Sequence, residues 1–270
     1  MQSLSIIGCG WLGLALAEQL QSQGWPVRGS ARQADTLARL KLLGIPAYSL
    51  SIGTTLDGDD LAGLFQAEAL FVNVPPGRQA QDNSYADRMA LLAEAAWQHG
   101  IRRALFVSTT AVYAPGEAVD ELGALDEGPR AAAMLAAERA MAARFGAGLT
   151  ILRPAGLVGG ERHPGRFLAG RQGLPGAEAP VNLVHREDVI GAVVRVLEAE
   201  AFGEVFNLSA PGHPSRGAFY PYAAQALGLP APTFGDAPMA IKRIDGYKIC
   251  RQLGLVYRYP DPFKMPPLPA

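Results

Sequence analysis

The chain has 270 residues, and its 24 Lys and Arg against 25 Asp and Glu leave a formal net charge of −1. That balance gives no electrostatic footprint for nucleic acid or an anionic membrane, while a hydrophobic fraction of 49% suffices for a large core. Two distant cysteines, Cys9 and Cys250, and four histidines without ligand spacing argue against a disulfide framework or a metal site. A reduced, cytoplasmic setting is therefore the default expectation. No apolar run reaches membrane-spanning length, and the short apolar N-terminus lacks the basic flank of a signal peptide, so it reads as a buried strand.

That strand, Leu4-Ser5-Ile6-Ile7, runs directly into Gly8-Cys9-Gly10-Trp11-Leu12-Gly13, and the helical stretch Leu14–Leu20 follows. A G-x-G-x-x-G between strand and helix is the setting in which glycines serve a dinucleotide. Gly8 permits the tight turn, Gly10 lets the backbone approach a pyrophosphate, and Gly13 lets helix and strand pack closely. Trp11 and Leu12 complete the helix start, whose free N–H groups and dipole face the phosphates. The first helix ends near Gly24, and Trp25–Ser30 reads as the second strand. An NAD site usually places an acid at the end of that strand, but no Asp or Glu occurs between Glu18 and Asp35. Ser30 stands there with Arg32 nearby, a pair that suits a 2′-phosphate, so NADP is expected ahead of NAD.

A helix over Thr36–Leu43, a strand over Ala47–Ile52 and a buried strand over Ala69–Val74 follow. The last of these closes on Pro75-Pro76-Gly77, so Val74 and Pro75 should lie along the cofactor. Tyr85–His99 has helical spacing and stops at Gly100, and the strand Arg103–Val107 leads into Ser108-Thr109-Thr110-Ala111-Val112-Tyr113.

The glycine turn followed by S-T-x-x-V-Y resembles the extended short-chain dehydrogenase/reductases, the epimerase/dehydratase-like family that acts mostly on nucleotide sugars. Ile151-Leu152-Arg153-Pro154, the segment Val181–Val189 around His185 and Asp188, and Glu204-Val205-Phe206-Asn207-Leu208 resemble that family's later landmarks, in the same order. The resemblance implies a Rossmann-type doubly wound parallel sheet with a small C-terminal substrate lobe. Residues 1–154, completed by 181–210, would form the dinucleotide domain, and 155–180 with 211–270 the lobe. It also implies that Thr109 orients substrate and that Pro154, at the end of the strand passing the nicotinamide, belongs with the cofactor site.

The family's Tyr and Lys, four residues apart on the next helix, have no counterpart here. That helix is the alanine-rich Arg130–Phe145. With Glu138 matched to a family-like Glu, Arg130 and Met134 fall at the two positions. No Tyr occurs between Tyr113 and Tyr220, and no Lys between Lys41 and Lys242. Thr110-Ala111 likewise replaces the Asp-Glu of the dehydratases, so sugar dehydration is disfavoured. If chemistry survives, Tyr113, His163 or His185 must carry the proton. Arg162 and Arg166, in the loop around His163, are candidates to clamp an anionic substrate, and Asn182 is placed with them. The leading expectation is an NADP-dependent oxidoreductase or epimerase with a non-standard proton relay. The other is a dinucleotide-binding sensor without turnover. Its partner would be a small molecule, anionic if the arginines serve it, with no nucleic acid or membrane. By the family's habit, a homodimer would form through the Tyr85–His99 and Arg130–Phe145 helices.

Overall fold

A computed structural model of the chain describes residues 3–77 and 84–265. In chain order it forms β1 (Leu4–Ile7), α1 (Trp11–Ser22), β2 (Val27–Ala31), α2 (Ala34–Leu42), β3 (Ala47–Ile52) and β4 (Leu56–Gly58). Next come the one-turn α3 (Leu61–Leu64), β5 (Ala69–Val72), α4 (Ser84–Gln98), β6 (Arg103–Val107), β7 (Gly116–Val119) and α5 (Pro129–Phe145). The remainder is β8 (Leu149–Pro154), β9 (Gly156–Val158), β10 (Leu183–His185), α6 (Arg186–Glu198), β11 (Val205–Leu208), α7 (Arg216–Gln225), β12 (Lys242–Ile244) and α8 (Lys248–Leu253). By internal contact these group into two units. The first holds Met1–Ser108, Glu127–Leu152 and Val196–Val205; the second holds Thr109–Asp126, Arg153–Arg195 and Phe206–Ala270.

The first unit is built on a sheet in the order β8-β6-β5-β1-β2-β3-β4, parallel throughout except at β3–β4. The Ile151 amide of β8 donates to the Glu204 carbonyl at 2.9 Å, where the chain enters β11. Every residue of β1 and β5 is buried, as expected of central parallel strands covered on both faces. Ser5 is tolerated there because its hydroxyl donates to the Leu64 carbonyl. Alternation divides the strand residues between the two faces. Leu70, Val72, Ala104 and Phe106 face a core shared with Tyr85, Met89 and Leu92 of α4 and with Ala137 and Met141 of α5. On the other face α1 packs so closely that a Cβ on Gly13 would approach Ile6, and α2 brings Leu40 against Gly29.

From β1 the chain winds through β2 and β3 to one side, then returns to β5 and winds through β6 and β8 to the other. This is the expected doubly wound Rossmann sheet, and the reversal between β1 and β5 opens a crevice at the strands' carboxyl ends.

The second unit has two short parallel pairs, β9 with β10 and β7 with β12, around a core including Val158, Val181, Leu183, Phe219 and Ala223. Leu255–Tyr259, which reads as extended in sequence, joins no strand. Its end is held instead by Asp188 in the first turn of α6, whose carboxylate accepts from the Arg258 and Tyr259 amides at 2.6 and 3.3 Å. Among the described residues no helix is long and apolar enough to cross a membrane, and no His, Cys, Asp and Glu cluster could hold a metal.

Candidate functional site

The glycine turn between β1 and α1 shows three glycines with three different reasons. Gly8 has φ +94°, and a Cβ there would collide with the Asn73 carbonyl. A Cβ on Gly13 would collide with the Gly8 carbonyl, so this glycine sets the helix-to-turn distance. Gly10 has an ordinary φ of −81°, and a Cβ on it would meet nothing within 4 Å. Its missing side chain serves neither backbone strain nor packing; it leaves an open cradle. Gly10 is also the N-cap of α1, with no side-chain cap bond and no acid in the first turn, so the helix start brings no side-chain acceptor of its own to its first N–H groups. Leu12 is buried in the core, and Trp11 is half-buried at the first helical position. Cys9 is sealed: its amide donates to the Ser30 carbonyl at 2.8 Å, and burial pushes its thiol pKa up to about 12.

This turn forms one wall of a cavity of about 340 Å³. Ser30, Arg32 and Thr36 line it from the β2–α2 junction, Leu50 and Ile52 from β3, and Asn73, Val74 and Pro75 from beyond β5. Among the described residues that line it, none is a carboxylate. Ser30 lies at this wall, but its hydroxyl bonds to the Ile6 carbonyl at 3.3 Å, so its first task is to tie β2 to β1. Arg32 is exposed at the rim. The wall beyond β5 is fixed from α4, where the Tyr85 hydroxyl donates to the Val74 carbonyl at 2.8 Å and Arg88 to the Pro76 carbonyl at 2.9 Å. Arg88 itself lines the cavity. It carries no sequence motif; only its spacing of three from Tyr85 places both on one helical face.

The groups considered for proton transfer do different work. Thr109 accepts from the Ala111 amide at 3.1 Å, capping the turn Thr110–Val112. Tyr113 is fully buried: Arg153 donates to its hydroxyl at 2.7 Å, and the hydroxyl donates to Asn207 Oδ1 at 2.8 Å. Three of the sequence landmarks thus meet at one buried node. Both capacities of the phenol are used and burial raises its pKa, an arrangement that holds structure rather than offering a proton. Pro154 is buried at the end of β8, where its carbonyl faces the Thr110 hydroxyl at 3.5 Å. In the first unit the buried Glu138 of α5 accepts from Ser108, while Arg130 is exposed and Met134 packs against the α4–α5 core.

His163 is buried, with Nδ1 accepting from the Gly165 amide at 3.1 Å, which assigns its proton to Nε2. It lines a cavity of about 210 Å³ with Phe219, Tyr222, Phe263 and Met265. Burial, with Arg166 second, holds its pKa below the usual histidine value. Arg162 and Arg166 are exposed on either side of it, and His163 alone turns inward. His185 is buried against Tyr259, with Nδ1 accepting from the Glu187 amide and Nε2, beside Gly159, without a hydrogen-bond partner among the described residues. Asn182, placed with the substrate in the sequence reading, is otherwise engaged. Its amide bonds the Lys242 carbonyl at 2.8 Å and the Ile244 amide at 3.0 Å, acting as a rung of β12.

Comparison with known proteins fits this geometry. A family model described as NAD(P)H-binding matches residues 8–200. Protein YeeZ of Escherichia coli K12 is 40% identical over 273 aligned residues, covering 98% of this chain and 99% of the relative. A UDP-glucose 4-epimerase from Stenotrophomonas maltophila, solved with NAD and formylated UDP-arabinopyranose, superposes with a TM-score of 0.77 at 18% identity, covering 98% and 96% of the two chains. A UDP-N-acetylglucosamine 4-epimerase from Bacillus cereus superposes with a TM-score of 0.76 at 15% identity, covering 96% and 95%. With an open glycine cradle at the switch point of a doubly wound sheet and a family model matching residues 8–200, the chain belongs to the NAD(P)H-binding family, with the fold of the epimerase-like extended short-chain dehydrogenase/reductases.

Proposed function

We propose that the chain is an NADP-dependent oxidoreductase or epimerase-type enzyme for a small molecule, working without the Tyr/Lys pair of its fold relatives. The reading is carried by the cavity at the glycine turn, which has an open cradle at Gly10, Arg32 and Arg88 in its wall and no carboxylate among the described residues that line it. The dinucleotide would lie with its pyrophosphate on the α1 N-terminus and supply hydride chemistry when bound. Thr109 keeps a hydroxyl proton to donate after capping its turn, and it would orient a substrate oxygen. His163 would move the proton, because its Nε2–H belongs to a ring on a cavity wall. The related structures named as nucleotide-sugar epimerases support a hydroxylated substrate.

A sensor without turnover is favoured by one observation: Tyr113, the phenol nearest the motif, is spent on Arg153 and Asn207. Calorimetric titration with NADPH and NADH, then a screen of small carbonyl compounds for loss of the reduced-nicotinamide absorbance, separates the readings. Turnover that falls at least a hundredfold in Thr109→Val and His163→Gln, with NADPH binding kept, supports the enzyme. Tight binding with no turnover supports the sensor, and no binding of either dinucleotide sinks both.

A further inference from the structure

We infer that Lys242 is a positioning residue for the reaction: from β12 its ammonium holds the turn that carries Thr109 and puts a positive charge on it. The inference rests on the enzyme reading above, in which Thr109 orients a substrate oxygen, and it adds a residue that no motif marks. All the groups concerned lie in the second unit.

Thr109 stands at the head of the short turn Thr110–Val112, and Tyr113 stands at its foot. At the head, the Thr109 hydroxyl oxygen accepts from the Ala111 amide, which limits where the remaining hydroxyl proton can point. At the foot, Tyr113 is extended, with φ −90° and ψ 145°, so its carbonyl leaves the helical pattern. On either side of it the Val112 carbonyl accepts from the Asp126 amide and the Ala114 amide donates to the Ala124 carbonyl, at 2.8 Å each. The Tyr113 carbonyl instead accepts from Lys242 Nζ, 129 residues away in sequence. The turn is fastened at both ends, and the second fastening is a cation.

The backbone under Lys242 is itself fixed. β12 runs parallel to β7 with Lys242 opposite Gly116, whose amide donates to the Ile241 carbonyl at 2.8 Å. The register shifts between Lys242 and Ile244, and the Asn182 side chain spans that irregularity. It donates to the Lys242 carbonyl and accepts from the Ile244 amide. A neutral amide or hydroxyl would suffice to cap one carbonyl. An ammonium brings in addition a full charge and two more N–H donors, on a half-buried side chain. A fixed cation on this turn favours negative charge developing on an oxygen that Thr109 holds.

The test is steady-state kinetics of the full chain with NADPH and the carbonyl compound from the screen above that the wild type reduces fastest, beside calorimetric titration with NADPH. Lys242→Met should lower kcat about tenfold or more, with KM within about threefold and NADPH affinity unchanged. Lys242→Arg, which keeps the charge and a donor, should recover most of kcat. Lys242→Gln, which offers the Tyr113 carbonyl a neutral donor, should not. The comparison of Lys242→Arg with Lys242→Gln decides the matter even where Lys242→Met does not fold. A Lys242→Gln chain as active as Lys242→Arg would show that a donor alone is needed and would overturn the inference. An unchanged kcat in all three variants overturns it as well, with the enzyme reading left standing. Loss of kcat in all three, Lys242→Arg included, together with a lower unfolding midpoint, marks a mere brace between β7 and β12 and also overturns it. A wild type that binds NADPH but turns nothing over removes the enzyme reading, and this inference with it.

Discussion

At the residue scale the three glycines of the turn make separable predictions, because each lacks a side chain for its own reason. Gly13→Ala forces α1 off the Gly8 carbonyl and should cost about 1–3 kcal/mol, read by urea unfolding. Gly10→Ala meets open space at an allowed backbone angle, so stability should stay within about 0.5 kcal/mol. The same methyl fills the cradle, and NADPH affinity should fall by more than tenfold. A Gly10→Ala chain that binds NADPH like the wild type would remove the cradle argument. Tyr113→Phe tests the buried node: it strips Arg153 of an acceptor and should lose about 1–3 kcal/mol of stability without a specific change in dinucleotide affinity. The glycines were legible because a tight turn and a close approach leave no other residue type. Arg88 was not, since a cation on an amphipathic helix looks the same in sequence whether it faces solvent or a cavity. Tyr113 was legible as a landmark but not as a role, because a motif records that a phenol is needed and not that Arg153 and Asn207 need it.

At the element scale the long, continuous apolar strands were readable: β3 and β6 have the same limits in sequence and structure, and β1 and β5 differ at most at one end. The short elements were hidden. β4, β7, β9 and β12 have three or four residues each, too few for alternation to emerge above chance. Their pairing is decided by distant groups, and Asn182 is the example. From sequence it is a polar residue in a loop, but in the fold it bonds both edges of a gap in β12, about sixty residues away. Asn182→Ala should therefore release β12, costing about 1–3 kcal/mol for two lost hydrogen bonds and exposing the Ile244 amide to faster hydrogen exchange. Unchanged exchange at Ile244 would mean that β7 alone holds the strand. Leu255–Tyr259 shows the converse: an extended reading of these residues does not say what they pair with, and here Asp188 accepts from the Arg258 and Tyr259 amides in place of a neighbouring strand.

At the scale of the whole molecule the two units differ in how they answer to acid. His163, His185 and His213 all belong to the second unit, and burial lowers the pKa of each below the ordinary 6.5. A histidine whose folded pKa is depressed adds stability above its unfolded value, and that stability is lost as pH falls from 6.5 toward the folded value. Around His185 the Glu187 carboxylate raises the pKa while Arg186 and Arg258 lower it, and burial outweighs them all. Glu121 and Asp188, also in the second unit, act in the opposite sense: burial raises both, so protonation on acidification favours their folded forms. The histidine contribution is isolated by substitution. Between pH 7.5 and 5.5, hydrogen exchange corrected for its intrinsic rate should rise in segments spanning 156–190 and 205–259. It should change little in β1 and β5, which contain no titratable residue. His213→Gln should flatten the rise by removing one of the three groups that must charge. Equal change in β1 and β5, or a pH slope untouched by His213→Gln, would show that acid sensitivity does not originate in these buried imidazoles.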